Sequence, residues 1–156
     1  MIIIVGVDTS TKMPAYCITD LLGTRYDYGK FTLEPLSGWV ELFKQANKVF
    51  IEGQYAGINP HSLITLSRAS GMLFACAKFV GAEVSIVPPS RWQSNMLKVK
   101  HHFTRDKLKR LSKERASELV GENIKDSDIA DAIMIAEFSR RRLISKLDNS
   151  RKEDNN

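Results

Sequence analysis

Four carboxylates, Asp8, Glu52, Asp128 and Asp131, stand where a pair of hard divalent cations could be held. Asp8 ends the apolar run Ile2 to Val7, and Glu52 ends the apolar run Val49 to Ile51. Asp128 and Asp131 are three residues apart, so on a helix they project from one face. Hard cations such as magnesium take oxygen ligands. Two such ions about 4 Å apart stabilise both the attacking and the leaving oxygen of a phosphodiester, whose own charge otherwise repels the nucleophile. Each acid also has a plain structural explanation. Asp8 could start a turn and Glu52 could cap a loop, while acids near Ser127 suit the positive end of a helix, with Asp126 or Ser127 as its N-cap. That explanation serves Asp128 well and Asp131 less well, because the stretch after it, Ala132 to Ala136, is wholly apolar and an uncompensated carboxylate beside a core is costly.

The elements that must position these acids follow from the apolar pattern. Ile2 to Val7 is β-branched and continuous, as a central strand buried on both faces requires. Ala15 to Thr19 and Arg25 to Phe31 read as two further strands of an antiparallel meander, joined by a tight turn at Gly23. Helical spacing over Leu36 to Ala46 leads into the short strand Val49 to Ile51. His61 to Val80 forms a helix apolar nearly all round, whose Ala69, Ser70 and Gly71 would allow close approach of another helix, from a second subunit or within the fold. Glu83 to Val87 is a fifth strand stopped by Pro88 and Pro89, and helices follow at Thr104 to Val120 and Asp126 to Leu147. The order βββαβαβαα implies a five-stranded mixed sheet with helices on both faces. The strands reached through helical crossovers run parallel to the first, and ligand sites in such sheets gather at carboxyl strand ends. Residues 1–147 form one domain, and the polar tail 148–156 is expected to be disordered.

Composition bounds the partner class. The chain has 156 residues, 43% of them hydrophobic, with 23 Lys and Arg against 18 Asp and Glu, a net charge of +5. This suits one compact domain with a polyanionic partner. The apolar N-terminal run lacks a basic leader and a cleavage site, and Asp8 interrupts it far short of a membrane span, so a soluble cytoplasmic protein without a membrane partner is expected. Cys17 and Cys76 have no metal-ligand spacing and read as buried thiols.

Between Arg91 and Arg115 lie nine basic residues against only Asp106 and Glu114, a density that suits a phosphate track. Leu108, Leu111, Arg115 and Leu119 share one side of the following helix, so part of the charge from Lys107 to Arg115 is an ordinary solvated face. The irregular stretch Arg91 to Phe103, with Arg91, Lys98 and Lys100, is the better candidate for DNA contact. Trp92 reads as an anchor of that stretch to the core. The triplet Arg140-Arg141-Arg142 suits the later turns of a helix, where cations are favoured, or a contact with DNA.

Together the motifs resemble the RuvC family of Holliday junction resolvases over nearly the whole chain. Ile4-Val5-Gly6-Val7-Asp8 is similar to the first metal-binding strand of that family, Phe50-Ile51-Glu52 to its second, and Asp128-x-x-Asp131-Ala132 to its closing pair. Many members follow the first Asp with Pro-Gly, where this chain has Thr9-Ser10-Thr11. The resemblance implies an RNase H-like α/β fold and a homodimer that cuts four-way DNA junctions. It implies two magnesium ions per active site, with manganese able to substitute, held by Asp8, Glu52, Asp128 and Asp131, and products with 5'-phosphate and 3'-hydroxyl ends. By the same resemblance Tyr55 matches an aromatic residue that stacks on opened junction bases, and Arg105 matches a basic residue used in catalysis or phosphate binding. The brevity and divergent loops are similar to bacteriophage-encoded members, the lactococcal ones above all, which would place the protein in a bacterial host cytoplasm.

Three other functions compete. Gly6-Val7-Asp8-Thr9-Ser10-Thr11 resembles the phosphate-binding opening of actin-like sugar kinases, but those need a second domain around the nucleotide, and this chain lacks the length. An inert branched-DNA-binding module would have no need of all four acids. A nuclease acting on RNA–DNA hybrids, flaps or forks could use the same metal site.

Overall fold

A computed structural model describes residues 1–54, 59–99 and 103–153. The elements are β1 (Ile3–Asp8), β2 (Ala15–Asp20), β3 (Tyr26–Lys30), α1 (Ser37–Lys44), β4 (Lys48–Glu52), α2 (Pro60–Phe79), β5 (Glu83–Val87), α3 (Pro89–Met96), α4 (Arg105–Val120) and α5 (Ser127–Glu153). The sheet order is β3-β2-β1-β4-β5, with β1 antiparallel to β2 and parallel to β4. The meander and the crossover strands are those expected, and helices cover both faces.

Strand alternation sorts the side chains. Val5 and Val7 of β1, with Val49 and Ile51 of β4, join Trp39 and Phe43 of α1 and Leu73 and Ala77 of α2 in one core. The opposite face packs Ala15 and Cys17 of β2 with Trp92, Ala116, Ala132, Ile133 and Ala136. On that second face α5 lies directly on β1 at Gly6. A Cβ there would come within 2.5 Å of the Ala136 nitrogen and 2.7 Å of the Ala132 carbonyl oxygen. Only glycine permits so close an approach, and it brings the first turns of α5 over the end of β1. Cys17 and Cys76 are free and buried.

Three stretches differ from the sequence expectation. Residues 91–96 of the stretch expected to be irregular instead belong to α3, because Pro89 sits at the first helical position, where its missing N–H is no loss and its fixed φ starts the helix. α5 does not end at Leu147 but runs to Glu153, so the expected disordered tail is helical over residues 148–153. No glycine or proline interrupts that stretch, and its polar sequence simply lacks the apolar rhythm that marks a packed helix. The Arg140–Arg142 triplet is therefore mid-helix. Arg140 and Arg141 each donate to the fully buried Glu137 at 2.6 Å, Tyr26 Oη donates to it at 2.7 Å, and Arg142 lies over the Phe138 ring. On α2, Ala69 and Ser70 are buried within the fold, whereas Gly71 faces open space. No helix among the described residues is long and apolar enough to cross a membrane.

Candidate active site

Two of the four acids are placed by β-sheet alternation. Gly6 faces α5, so Asp8, two residues on, does as well, and Phe50 belongs to the core beneath α5, so Glu52 follows it. The parallel register pairs Gly6 with Phe50 and Val7 with Ile51, which carries Asp8 and Glu52 side by side at the strand ends. The Thr9 hydroxyl ties the two ends together by donating to the Glu52 carbonyl at 3.3 Å.

The other two acids come from the start of α5. Asp126 is its N-cap, with Oδ1 accepting from the backbone N–H of Asp128 at 2.8 Å and of Ile129 at 3.2 Å. This frees Asp128 and Asp131 from capping and lets their spacing turn both toward the strand ends. The Asp128 side chain is partly open, at 39% exposed.

The electrostatics show that the four form one cluster. Burial, then the charges of Glu52 and Asp131, raise the Asp8 pKa well above the usual carboxylate range, and Asp8 also shares a hydrogen bond with Glu52. Burial raises Glu52 too, against the pull of its hydrogen bonds to Asp8 and Trp92. Asp131 is pushed up to about 7, chiefly by burial and by the charges of Glu52 and Asp128, although the Ser112 hydroxyl and Lys109 act the other way. Carboxylates this close repel one another until a proton or a cation intervenes.

Protein donors partly meet that need. Trp92 Nε1 donates to Glu52 Oε1 at 2.8 Å, Ser112 Oγ donates to Asp131 Oδ1, and Lys30 Nζ lies 2.7 Å from Asp128 Oδ2. Sequence reasoning passed over Lys30 and Ser112, because a lysine at a strand end and a serine in a basic helix carry no signal without the pairing that places them. Trp92, 1% exposed, is the core anchor it was read as and a hydrogen-bond donor besides.

The described DNA-contact candidates lie on and beside α3 and α4. Arg91 and Lys98 are exposed around α3, Lys98 with a left-handed φ of 53°, and Arg105 is exposed in the first turn of α4. One turn beyond Arg105, the half-buried Lys109 is the α4 cation whose charge reaches Asp131. Tyr55 and Lys100 lie outside the described residues.

The donor set fits hard divalent ions, being all carboxylate oxygen and short of positive charge. Among the described residues no three acidic, His or Cys side chains close into a preformed cage.

The raised Asp131 pKa has a measurable consequence. An acid whose pKa rises from about 3.9 unfolded to about 7 folded contributes fully below pH 4, and that contribution is lost as pH climbs through 7. Urea unfolding in EDTA should therefore find Asp131→Asn level with wild type near pH 4 and more stable by up to about 4 kcal/mol near pH 8. Saturating magnesium should remove the difference. A gap that does not change with pH would contradict the clustering.

The fold has known counterparts. It is similar to Thermus thermophilus RuvC at 17% identity, TM-score 0.62, over 90% of this chain and 96% of that one. A structure of T. thermophilus RuvC in complex with Holliday junction substrate matches at 16% identity, TM-score 0.62, with the same coverage. The yeast mitochondrial Holliday junction resolvase matches at 16% identity, TM-score 0.54, over 88% of this chain and 77% of that one. The chain matches no sequence-family model and no curated protein. The architecture is thus the RNase H-like fold of RuvC.

Proposed function

We propose that the protein is a structure-selective endonuclease that cleaves branched DNA, four-way junctions included, by metal-assisted phosphodiester hydrolysis. The observation that carries this reading is the convergence of Asp8, Glu52, Asp128 and Asp131, from β1, β4 and α5, into one interacting carboxylate cluster at the carboxyl ends of parallel strands. The fold it shares with RuvC, one of whose structures holds Holliday junction substrate, supports the choice of branched DNA.

The four carboxylates would hold two magnesium or manganese ions, which supply activation of water and stabilisation of the departing sugar oxygen. The chain's own residues then have distinct tasks. Asp8 and Glu52, side by side at the strand ends, would both turn carboxylate oxygens to the ions. Trp92 and Ser112 hold Glu52 and Asp131 in orientation. Lys109, half-buried beside Asp131, brings positive charge to the rim, where a phosphate would approach. Arg91, Lys98 and Arg105 supply an exposed basic surface for the DNA arms. Symmetrical cutting needs two active sites, and the outward side of α2 suits a second copy, with Ile64 52% and Phe79 82% exposed on either side of Gly71 and Ala75.

End-labelled four-way, Y-shaped, RNA–DNA hybrid and linear duplex substrates, incubated with magnesium or manganese and mapped on every strand, test the proposal. Paired symmetrical nicks confined to branched substrates are expected. Preferred cutting of the hybrid would replace this reading with the ribonuclease one.

A further inference from the structure

A cation in direct contact with the carboxylate cluster comes from the far edge of the sheet. Lys30 ends β3, pairs with Ala15 of β2, and Ala15 in turn pairs with Asp8, so lysine and acid lie on one rung with a single small residue between them. Alanine at that position leaves the way clear for the lysine stem to reach α5. Its ammonium has two seats there. Nζ is 2.7 Å from Asp128 Oδ2, and 3.0 and 3.3 Å from the two oxygens of Asp126. With its side chain 22% exposed, Lys30 is neither locked in the core nor free in solvent.

The two seats differ in kind. Asp128 belongs to the cluster read as a metal site. Asp126 caps α5 and accepts from two backbone N–H groups. A divalent ion drawn to Asp128 both competes for Oδ2 and repels the ammonium, which still keeps a carboxylate at hydrogen-bond distance. We propose that Lys30 is the internal counterion of the metal-free site, seated between Asp126 and Asp128, and that a divalent ion taking Asp128 moves the ammonium wholly onto Asp126. The inference rests on the metal-binding reading above and adds a residue that governs how readily the site loads. Lys30 is a positioning residue, acting on Asp128 and not on substrate.

Manganese binding, followed through the signal of free Mn2+ in electron paramagnetic resonance, reads this without any turnover. Lys30→Met, which keeps the stem and removes the charge, should tighten binding by about two- to fivefold, the range expected for a partly exposed ion pair. Lys30→Arg should weaken it, because a planar guanidinium can grip a carboxylate with two hydrogen bonds and yields it less readily. Asp126→Asn keeps the cap but removes the second seat. It should weaken binding when Lys30 is present and have a smaller effect in the Lys30→Met background, a coupling that a double-mutant cycle isolates. Unchanged or weaker binding in Lys30→Met, unchanged or tighter binding in Lys30→Arg, or strict additivity in the cycle would overturn the counterion role. Wild-type protein that takes up no Mn2+ would instead remove the metal reading itself, so the two failures are distinguishable. Thermal melts in EDTA confirm that each variant is folded before it is titrated, and the Lys30→Arg and Asp126→Asn arms decide the matter if Lys30→Met does not fold.

Discussion

Asp8→Asn is expected to abolish cleavage of a four-way junction while leaving junction binding intact and making the metal-free protein more stable. Asp8 is the acid on which the other three act: Glu52, Asp131 and Asp128 all raise its pKa, on top of burial. Asparagine preserves shape and hydrogen bonding at the end of β1 but withdraws the charge. Metal polarisation of a phosphodiester contributes several kcal/mol to the transition state, and about 4 kcal/mol corresponds to a loss on the order of 10^3-fold in rate. The same substitution removes a buried, mutually repelling carboxylate, so the melting temperature in EDTA should rise. Binding of DNA arms through exposed Arg and Lys side chains involves phosphate charge and is indifferent to this change. Rate, gel-shift affinity and thermal melt on one preparation check all three outcomes, and undiminished cutting in magnesium would rule out Asp8 as a ligand.

Gly6→Ala is expected to have the largest effect on stability among small substitutions, and to damage the site without touching an acid. A Cβ at Gly6 meets Ala136 N at 2.5 Å, Ala136 Cα at 2.8 Å and the Ala132 carbonyl oxygen at 2.7 Å. These are backbone atoms of α5, so no side-chain rotation relieves the clash, and the helix must move off the sheet. Overpacking of this kind costs about 1–3 kcal/mol and occasionally more. Because Asp128 and Asp131 ride on that helix, manganese affinity should fall together with the urea midpoint. Gly38→Ala in α1 is the control, since nothing lies within 4 Å of its added methyl. It should be neutral or stabilising, by up to about 1 kcal/mol. Equal effects of the two substitutions would mean that α5 does not depend on close contact at Gly6.

The acids were legible in the sequence because each sits at a boundary that local chemistry marks. Asp8 and Glu52 follow apolar β runs, and Asp128 and Asp131 open an apolar helix, so period two and period 3.6 put them at strand ends and on one helix face, while reading them as one metal site drew on the resemblance as well. What surrounds them was not legible. Lys30 meets Asp128 across a sequence separation of 98 residues, through a strand register that only the folded meander sets. Ser112 lies in a helix whose basic composition hides the side turned to Asp131. Pro88-Pro89 reads as a stop, yet Pro89 starts α3 and so delivers Trp92 to Glu52. The triplet at Arg140 carries positive charge like a DNA contact, whereas two of its members are spent on Glu137, a buried acid that local pattern gave no reason to single out. The DNA-facing assignments drew more on resemblance than on pattern. Arg105 is assigned by resemblance, while the charge that reaches Asp131 from α4 is that of Lys109.

The most direct measurement is a magnesium titration of cleavage on a four-way junction labelled on each strand, starting from protein stripped with EDTA. A four-carboxylate metal site requires no cut at all without divalent ion, then paired nicks that appear as magnesium is added and are lost again in Asp8→Asn. Cleavage that proceeds unchanged in EDTA would contradict it.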